Sequence, residues 1–311
     1  MVGYGAREVT FESGGSTIAA VFYRPNRPGR HPCVVMAHGF SGTMDWILPD
    51  FAAVFAAAGF AVLTFDYRHF GASEGQPRQL VDSQRQLTDI RSALAHVRSR
   101  DDVDADRVAL WGTSLGGSHV IVVAAEDPRL AAVVANVPAL DMYRGLRGRY
   151  RPPHLHPGPA RSALAAARLA GSALLDAARG RLGVSPLYLP VYGPLGHAAF
   201  SDPALAGLFR QVEQGSPRWR NAFTPRFLLH APRYRAGTVE RIRSPLLVTL
   251  ARDDSEVSSA FVLQKVGRAQ HPEIRIYPVG HFDMYHGVVR DEVARDHRDF
   301  LLRHLMPLTA R

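Results

Sequence analysis

The sequence predicts an α/β protein whose mostly parallel sheet carries helices on both faces. From residue 33 onward, short apolar runs of strand character alternate with helical patterns. The alternation breaks over residues 138–243, where Pro, Gly and Arg cluster around one Ala- and Leu-rich helix pattern. A chain of 311 residues can bury a large core. We therefore interpret residues 1–137 and 244–311 as one core domain and residues 138–243 as an inserted cap.

The predicted elements follow one another in a regular order. Two β-favouring runs, 7–11 and 17–23, flank a Gly-Gly turn and predict a hairpin at the start. The rest of the chain then reads as strand 33–37, helix 50–58, strand 60–65, helix 81–100, strand 108–111, a helix from Ser114, strand 130–136, a cap helix near 162–178, strand 245–250, helix 257–269, strand 273–279 and helix 288–305. Because ligands of open α/β sheets gather at the carboxyl ends of the strands, the residues just after each strand are where chemistry is expected.

A Gly-x-Ser-x-Gly motif follows one of these strands. Gly112, Ser114 and Gly116 form it between an apolar strand pattern and a helix pattern. Such a strand-to-helix turn exposes the serine hydroxyl, and glycine on either side prevents a clash between the chains. Ser114 is therefore a candidate nucleophile. The alternative is a serine that only caps the helix after a tight turn.

A serine hydroxyl needs a base to take its proton, and an imidazole with a pKa of about 6.5 suits this role at neutral pH. His281 follows the strand at 273–279 and is the candidate base. A carboxylate on the other ring nitrogen would orient the imidazole. Asp254, after the strand at 245–250, is the candidate acid, and the adjacent Asp253 is the alternative.

Negative charge on the attacked carbonyl oxygen requires fixed hydrogen-bond donors. The backbone N–H of Leu115, at the start of the helix after Ser114, is one candidate donor. The backbone N–H of Phe40 is the second, because it follows His38-Gly39 and glycine lets the backbone approach a substrate. His38 itself is interpreted as a structural residue beside this oxyanion site.

These motifs resemble the landmarks of the α/β-hydrolase superfamily. Asp66-Tyr67-Arg68 and the Gly-His-Phe-Asp-Met-Tyr segment are similar to bacterial serine hydrolases of the dienelactone-hydrolase and acyl-peptidase-like branch. The resemblance implies an eight-stranded, mostly parallel sheet with a cap between strands 6 and 7 and a Ser, Asp, His triad. Ala251 departs from the glycine that is common there. The motifs that carry the resemblance are His38-Gly39-Phe40, the Ser114 turn, residues 251–254 and residues 280–282.

Cap aromatics are candidate walls of the substrate pocket, although each could equally be a core residue of a small lid. These are Tyr188, Tyr192, Phe200, Trp219 and Phe223. His154-Leu155-His156 has a spacing compatible with a metal, but no acidic or cysteine partner lies nearby in sequence, so a surface loop is preferred. We expect no metal and no cofactor.

The formal net charge of +9 does not by itself indicate nucleic-acid binding. Nearly all basic residues are scattered arginines, Lys265 is the sole lysine, and no nucleic-acid-binding motif is present. A single cysteine, Cys33, excludes an intramolecular disulfide. No apolar stretch predicts a membrane span or a secretory signal, so a cytoplasmic location is expected, and a homodimer is left open.

The sequence therefore predicts a serine hydrolase that cleaves a small-molecule carboxylic ester through an acyl-enzyme intermediate. An acyltransferase or a cyclising thioesterase with the same three residues is the first alternative, and a peptidase follows it. A binding protein or an isomerase on the same scaffold is the alternative from a different class.

Overall fold

The computed structural model describes residues 2–145, 147–155 and 157–306. In these residues one sheet contains eight strands in the spatial order β1-β2-β4-β3-β5-β6-β7-β8. Their bounds are β1 Tyr4–Ser13, β2 Ser16–Pro25, β3 His31–Ala37, β4 Ala61–Phe65, β5 Val103–Thr113, β6 Ala132–Asn136, β7 Leu246–Ala251 and β8 Pro272–Tyr277. The predicted α/β class and the eight-stranded sheet are confirmed.

Only the N-terminal hairpin departs from parallel pairing. β1 pairs with β2 and β2 with β4 in antiparallel register, whereas the strands from β4 through β3 to β8 run parallel. Every residue of β3, β4, β6 and β7 is buried. Continuous apolar runs fit this position, because the sheet is covered on both faces.

Helices connect the parallel strands. Those of the predicted core are α1 Leu48–Ala57, α2 Ser83–Arg98, α3 Leu115–Ala124, α7 Ser259–Val266 and α8 Gly287–Leu305, with a 3-10 turn at Phe282–Tyr285. α1 packs against α8, and α2 packs against α3. β5 begins at Val103, five residues before the predicted strand at 108–111. Its first half is polar and includes the Asp104–Arg107 ion pair, so an apolar pattern reveals only the buried half.

The segment between β6 and β7 holds the elements of the proposed cap. They are α4 Pro159–Arg181, α5 Ala206–Gly215, α6 Phe227–His230 and 3-10 turns at Pro203–Leu205 and Val239–Arg241. α4 extends the predicted helix at both ends, whereas α5 was not predicted. The available signals for α5 were Asp202, which caps the 3-10 turn before it, and the buried pair Phe209 and Val212 at helical spacing.

None of the helices in residues 2–145, 147–155 and 157–306 is long and apolar enough to cross a membrane.

Candidate active site

Ser114 occupies the turn between β5 and α3. Its backbone has φ 52° and ψ −118°, a conformation that costs energy for any residue other than glycine. Its backbone N–H donates to the carbonyl of Asn136 at 2.9 Å, which holds the turn against β6. A Cβ at Gly116 would lie 2.3 Å from the carbonyl oxygen of His38. Glycine is therefore required here by close packing, and the turn holds Ser114 half-exposed at the edge of the sheet.

Three side chains from three strand ends form a hydrogen-bonded line. His281 Nε2 lies 3.2 Å from Ser114 Oγ, and His281 Nδ1 lies 2.7 Å from Asp254 Oδ2. The other carboxylate oxygen, Asp254 Oδ1, accepts from the backbone N–H groups of Glu256 and Val257, each at 2.8 Å. Because Asp254 accepts at both oxygens, the imidazole hydrogen is held on Nδ1 and the Nε2 lone pair faces Ser114.

The two adjacent aspartates have different environments. Asp254 is 1% exposed and contacts His281, whereas Asp253 turns outward and pairs with Arg252 at 2.9 Å. The hydrogen bonds from Arg252 lower the pKa of the Asp253 carboxyl. Of the two acids that the sequence left open, the geometry brings only Asp254 to the imidazole.

The electrostatics of this line favour a basic imidazole. Burial lowers the pKa of His281, but the charge and hydrogen bond of Asp254 and the charge of Glu256 outweigh burial and raise the pKa above its ordinary value. Burial also raises the pKa of the Glu256 carboxyl. Two carboxylates therefore stabilise a proton on His281 once it has been taken from a donor.

The two residues predicted to supply backbone donors both lie near Ser114: Leu115 follows it in the chain, and Phe40 lines the same cavity. Leu115 is the first residue of α3, so its N–H has no partner within the helix and lies at the positive end of the helix dipole. Phe40 lies within a turn closed by Gly39 O, which accepts from the Gly42 N–H at 3.2 Å and also from His38 Nδ1 at 3.0 Å. Burial lowers the pKa of His38 to about 4, so His38 stays neutral and braces the turn.

A cavity of about 20 Å³ lies over Ser114. It has room for about one water molecule. Its walls are His38, Gly39, Phe40, Gly42, Trp46, Ile47, Thr113, Ser114, Phe200, His281, Phe282 and Tyr285. Phe200 is the only wall residue from the predicted cap in the described part of the chain, and the core supplies the rest.

The predicted cap aromatics lie at different distances from this cavity. The Phe200 ring lies 5.3 Å from Phe282 and 6.0 Å from Phe40, at the cavity wall. Tyr192 and Trp219 lie one layer farther out, where both contact the ring of Phe209.

Phe223 and Tyr188 also differ in position. The Phe223 ring lies 5.1 Å from Phe40, behind the cavity wall. Tyr188 is 42% exposed, and its hydroxyl donates to the carbonyl of Arg78 at 3.0 Å. The hydroxyl is thereby held by a loop of the core, and Tyr188 is not among the residues that line the cavity over Ser114.

Sequence reasoning missed several wall residues. Phe282 and Tyr285 lie within four residues of His281, so their position after the candidate base was an available signal. Trp46 lies in the loop after β3 and reaches the cavity only through the fold of that loop. His154 Nε2 contacts Asp202 Oδ1 at 2.9 Å, and His156 lies outside the described residues.

Comparison with known proteins places this arrangement in a family. The family model Hydrolase_4, described as serine aminopeptidase, S33, matches residues 29–292. The quorum-quenching protein AidA of Acinetobacter baumannii is 38% identical over 299 residues, which cover 95% of this chain and 94% of AidA. The thiohydrolase aneE of Aspergillus aculeatus is 37% identical over 110 residues, 35% of each chain.

A solved structure gives the same result. The crystal structure of the α/β hydrolase GrgF from Penicillium sp. sh18 superimposes with a TM-score of 0.77 at 25% identity and covers 97% of this chain and 99% of GrgF. The family match, the relative that spans nearly the whole chain and the shared fold agree. The protein therefore belongs to the serine aminopeptidase S33 family and is an enzyme of the α/β-hydrolase superfamily.

Proposed function

We propose that this protein is a serine hydrolase that cleaves a carboxylic ester through an acyl-enzyme intermediate, with Ser114, His281 and Asp254 as its catalytic triad. The observation that carries the proposal is the continuous hydrogen-bonded line from Asp254 through His281 to Ser114. Each member has the partner that its role requires: an acid held by backbone N–H groups, a base of fixed tautomer and a nucleophile on a strained turn.

The reaction follows from this geometry. Ser114 Oγ attacks the ester carbonyl as its proton moves to His281 Nε2, and the carboxylate of Asp254 stabilises the imidazolium. The N–H groups of Leu115 and Phe40 hold the oxyanion, and each such donor is typically worth about 10² to 10³ in rate. His281 then protonates the leaving alcohol. Water attacks the acyl-enzyme by the same route and releases the acid.

The small cavity constrains how the substrate binds. Its volume of about 20 Å³ is smaller than an acyl group needs, so we infer that aromatic side chains around Ser114 shift when substrate binds. Phe200 is the wall residue that belongs to the proposed cap, residues 138–243. We infer that this segment controls access of the substrate to Ser114 and limits the size of the acyl group that the enzyme accepts.

Thioester hydrolysis or acyl transfer is the second candidate function. Aromatic rings line the cavity, and once substrate is bound they would limit the water that competes with another acceptor. The relative aneE is named a thiohydrolase, which favours a thioester as the acyl donor. Turnover of an ester and its thioester analogue, with and without an added alcohol or amine, separates hydrolysis from transfer by the products formed.

A fluorophosphonate probe tests the nucleophile directly. The probe should attach to Ser114 in the wild-type protein, as read by intact mass and peptide mapping. Ser114→Ala should show no adduct, and His281→Ala should react far more slowly because the base is missing. A wild-type protein that folds but takes no label would remove the hydrolase proposal and favour a binding protein on this scaffold.

A further inference from the structure

The hydroxyl of Tyr285 lies at the reacting nitrogen of the proposed base. It is 3.4 Å from His281 Nε2, the same atom that lies 3.2 Å from Ser114 Oγ. The Nδ1 hydrogen of His281 is directed at Asp254, so Nε2 has one lone pair and two hydroxyl neighbours. In the proposed mechanism the triad of Ser114, His281 and Asp254 assigns no role to the Tyr285 hydroxyl.

A chain of buried hydrogen bonds on the far side of Tyr285 begins at Trp111. An indole N–H can only donate, and Trp111 Nε1 donates to His297 Nδ1 at 3.0 Å. The ring hydrogen of His297 therefore lies on Nε2, which donates to Thr249 Oγ1 at 3.1 Å. Burial lowers the pKa of His297 to about 3, so the ring stays neutral and keeps this direction.

The same direction continues across the sheet to Tyr285. Thr249 accepts from His297 and donates to Asn136 Oδ1 at 2.7 Å. Asn136 Nδ2 then donates to Thr113 Oγ1 at 3.2 Å, and the Thr113 hydroxyl donates to Tyr285 Oη at 2.8 Å. All these residues are at most 3% exposed, so solvent does not compete for their hydrogens. The Tyr285 oxygen is an acceptor from Thr113, and its own hydrogen is left to point at His281 Nε2.

This orientation matters when the leaving group departs. After Nε2 takes the Ser114 proton it becomes a donor, and the Tyr285 hydroxyl loses its acceptor there. The leaving-group oxygen must then lie beside Nε2 to receive that proton. Tyr285 lines the same cavity as Ser114, and its hydroxyl lies 3.4 Å from Nε2, so it is close to the place where this oxygen becomes negative.

We propose that Tyr285 is a further catalytic residue, whose hydroxyl donates a hydrogen bond to the leaving-group oxygen as the ester bond breaks. This inference rests on the proposed serine-hydrolase function. In this step the bond from Ser114 Oγ to the carbonyl carbon has formed, the bond from that carbon to the leaving oxygen breaks, and the oxygen keeps the electron pair and takes the proton from His281 Nε2. Tyr285 keeps its own proton throughout, as fits a phenol whose pKa burial raises.

The proposal predicts a dependence on the leaving group. A poor leaving group such as ethoxide develops more negative charge on oxygen than p-nitrophenoxide and gains more from a hydrogen bond. We expect Tyr285→Phe to lower kcat/KM about tenfold for an ethyl ester and about twofold or less for the p-nitrophenyl ester of the same acid. The comparison requires only one acyl group and a series of alcohols and phenols. kcat/KM is measured because it reports the steps through loss of the leaving group.

Matched measurements separate this role from a structural one. Tyr277→Phe also removes a tyrosine hydroxyl, one that donates to Asp296, and should not change the slope against leaving-group pKa. Thr113→Val removes the hydrogen bond that orients Tyr285. We expect a smaller loss than in Tyr285→Phe, and this loss should again increase with the pKa of the leaving group. If Tyr285→Phe does not fold, the proposal is tested by the dependence of kcat/KM on the leaving group in Thr113→Val alone.

Two results would overturn the proposal. An equal loss for every leaving group would make Tyr285 a structural residue, and no loss for any ester would give its hydroxyl no role. Fluorophosphonate labelling of wild-type Ser114 distinguishes these failures from failure of the proposed function. If the wild type is labelled but Tyr285→Phe changes kcat/KM by the same factor for every leaving group, only the role of Tyr285 is refuted. If the wild type is not labelled, the serine-hydrolase proposal itself is refuted.

Discussion

The two sides of the cavity over Ser114 are built by different forces. On the sheet side, Asp254, His281, Tyr285 and Thr113 are held by directional hydrogen bonds between buried groups. On the opposite side, aromatic rings pack without such bonds. The buried indole N–H of Trp46 there finds no acceptor among the described residues.

This difference separates chemistry from selectivity. Hydrogen bonds fix the sheet side to one geometry, because each donor has one acceptor and a displaced group would leave a buried polar atom unpaired. Ring contacts at 5 to 6 Å are non-directional, so the aromatic side can rearrange around different acyl groups at lower cost. Changes on the sheet side should therefore lower turnover of every ester, most of all at the proposed triad, and changes on the aromatic side should redistribute turnover among substrates with different acyl groups.

The largest effect is expected from the acid on the sheet side. Asp254→Asn keeps the shape of the side chain but removes the charge that stabilises the imidazolium, so kcat should fall by about 10⁴. Asp253→Asn is the matched control and should leave kcat within about twofold, because Asp253 faces outward. Steady-state kinetics on an activated ester measures both. Equal losses in the two variants would refute the assignment of Asp254.

A smaller and selective effect is expected on the aromatic side. Phe200→Ala enlarges the cavity and should raise kcat/KM for a bulky acyl group relative to an acetyl group by about tenfold. Tyr188→Ala is the control from the same segment, since Tyr188 lies away from the cavity and should leave this ratio unchanged. A series of esters with one leaving group and increasing acyl size gives the ratio. Parallel profiles for Phe200→Ala and wild type would contradict gating by this ring.

The smallest effect is expected from the negative charge of Glu256, which lies near His281 on the sheet side of the cavity. In the proposed mechanism His281 acts as a base when its ring is neutral, so kcat/KM should fall as pH drops through the His281 pKa, which lies above its ordinary value. Glu256→Gln removes a negative charge that contributes to this rise. The midpoint of the acid limb should move to lower pH, with severalfold more activity below it than wild type. A midpoint that stays in place would exclude an electrostatic contribution of Glu256.

The sequence was more informative about the sheet side than about the aromatic side. Local signals selected Ser114, His281 and the pair Asp253 and Asp254 as candidates, because each follows a strand and parallel strands end at one edge, and the fold brings Ser114, His281 and Asp254 together. The choice between the two acids needed coordinates, since adjacent residues follow the same strand and differ only in side-chain direction.

The aromatic side depends on contacts between distant parts of the chain. The sequence around Trp46 does not show that its ring contacts Trp219 and Phe209. Tyr188 is an aromatic residue of the proposed cap, as expected of a wall residue, but it is exposed and does not line the cavity. The same limit applies to Tyr285. The role proposed for it depends on a hydrogen-bond direction that is set by residues of β5, β6, β7 and α8, and no spacing in the sequence encodes that direction.

Trapping of the acyl-enzyme tests the central claim most directly. Wild-type protein mixed with p-nitrophenyl acetate and quenched in acid within the first turnover should carry one acetyl group on the peptide that contains Ser114, together with a burst of p-nitrophenolate. Turnover of the ester with the acetyl group on a residue other than Ser114 would contradict the account.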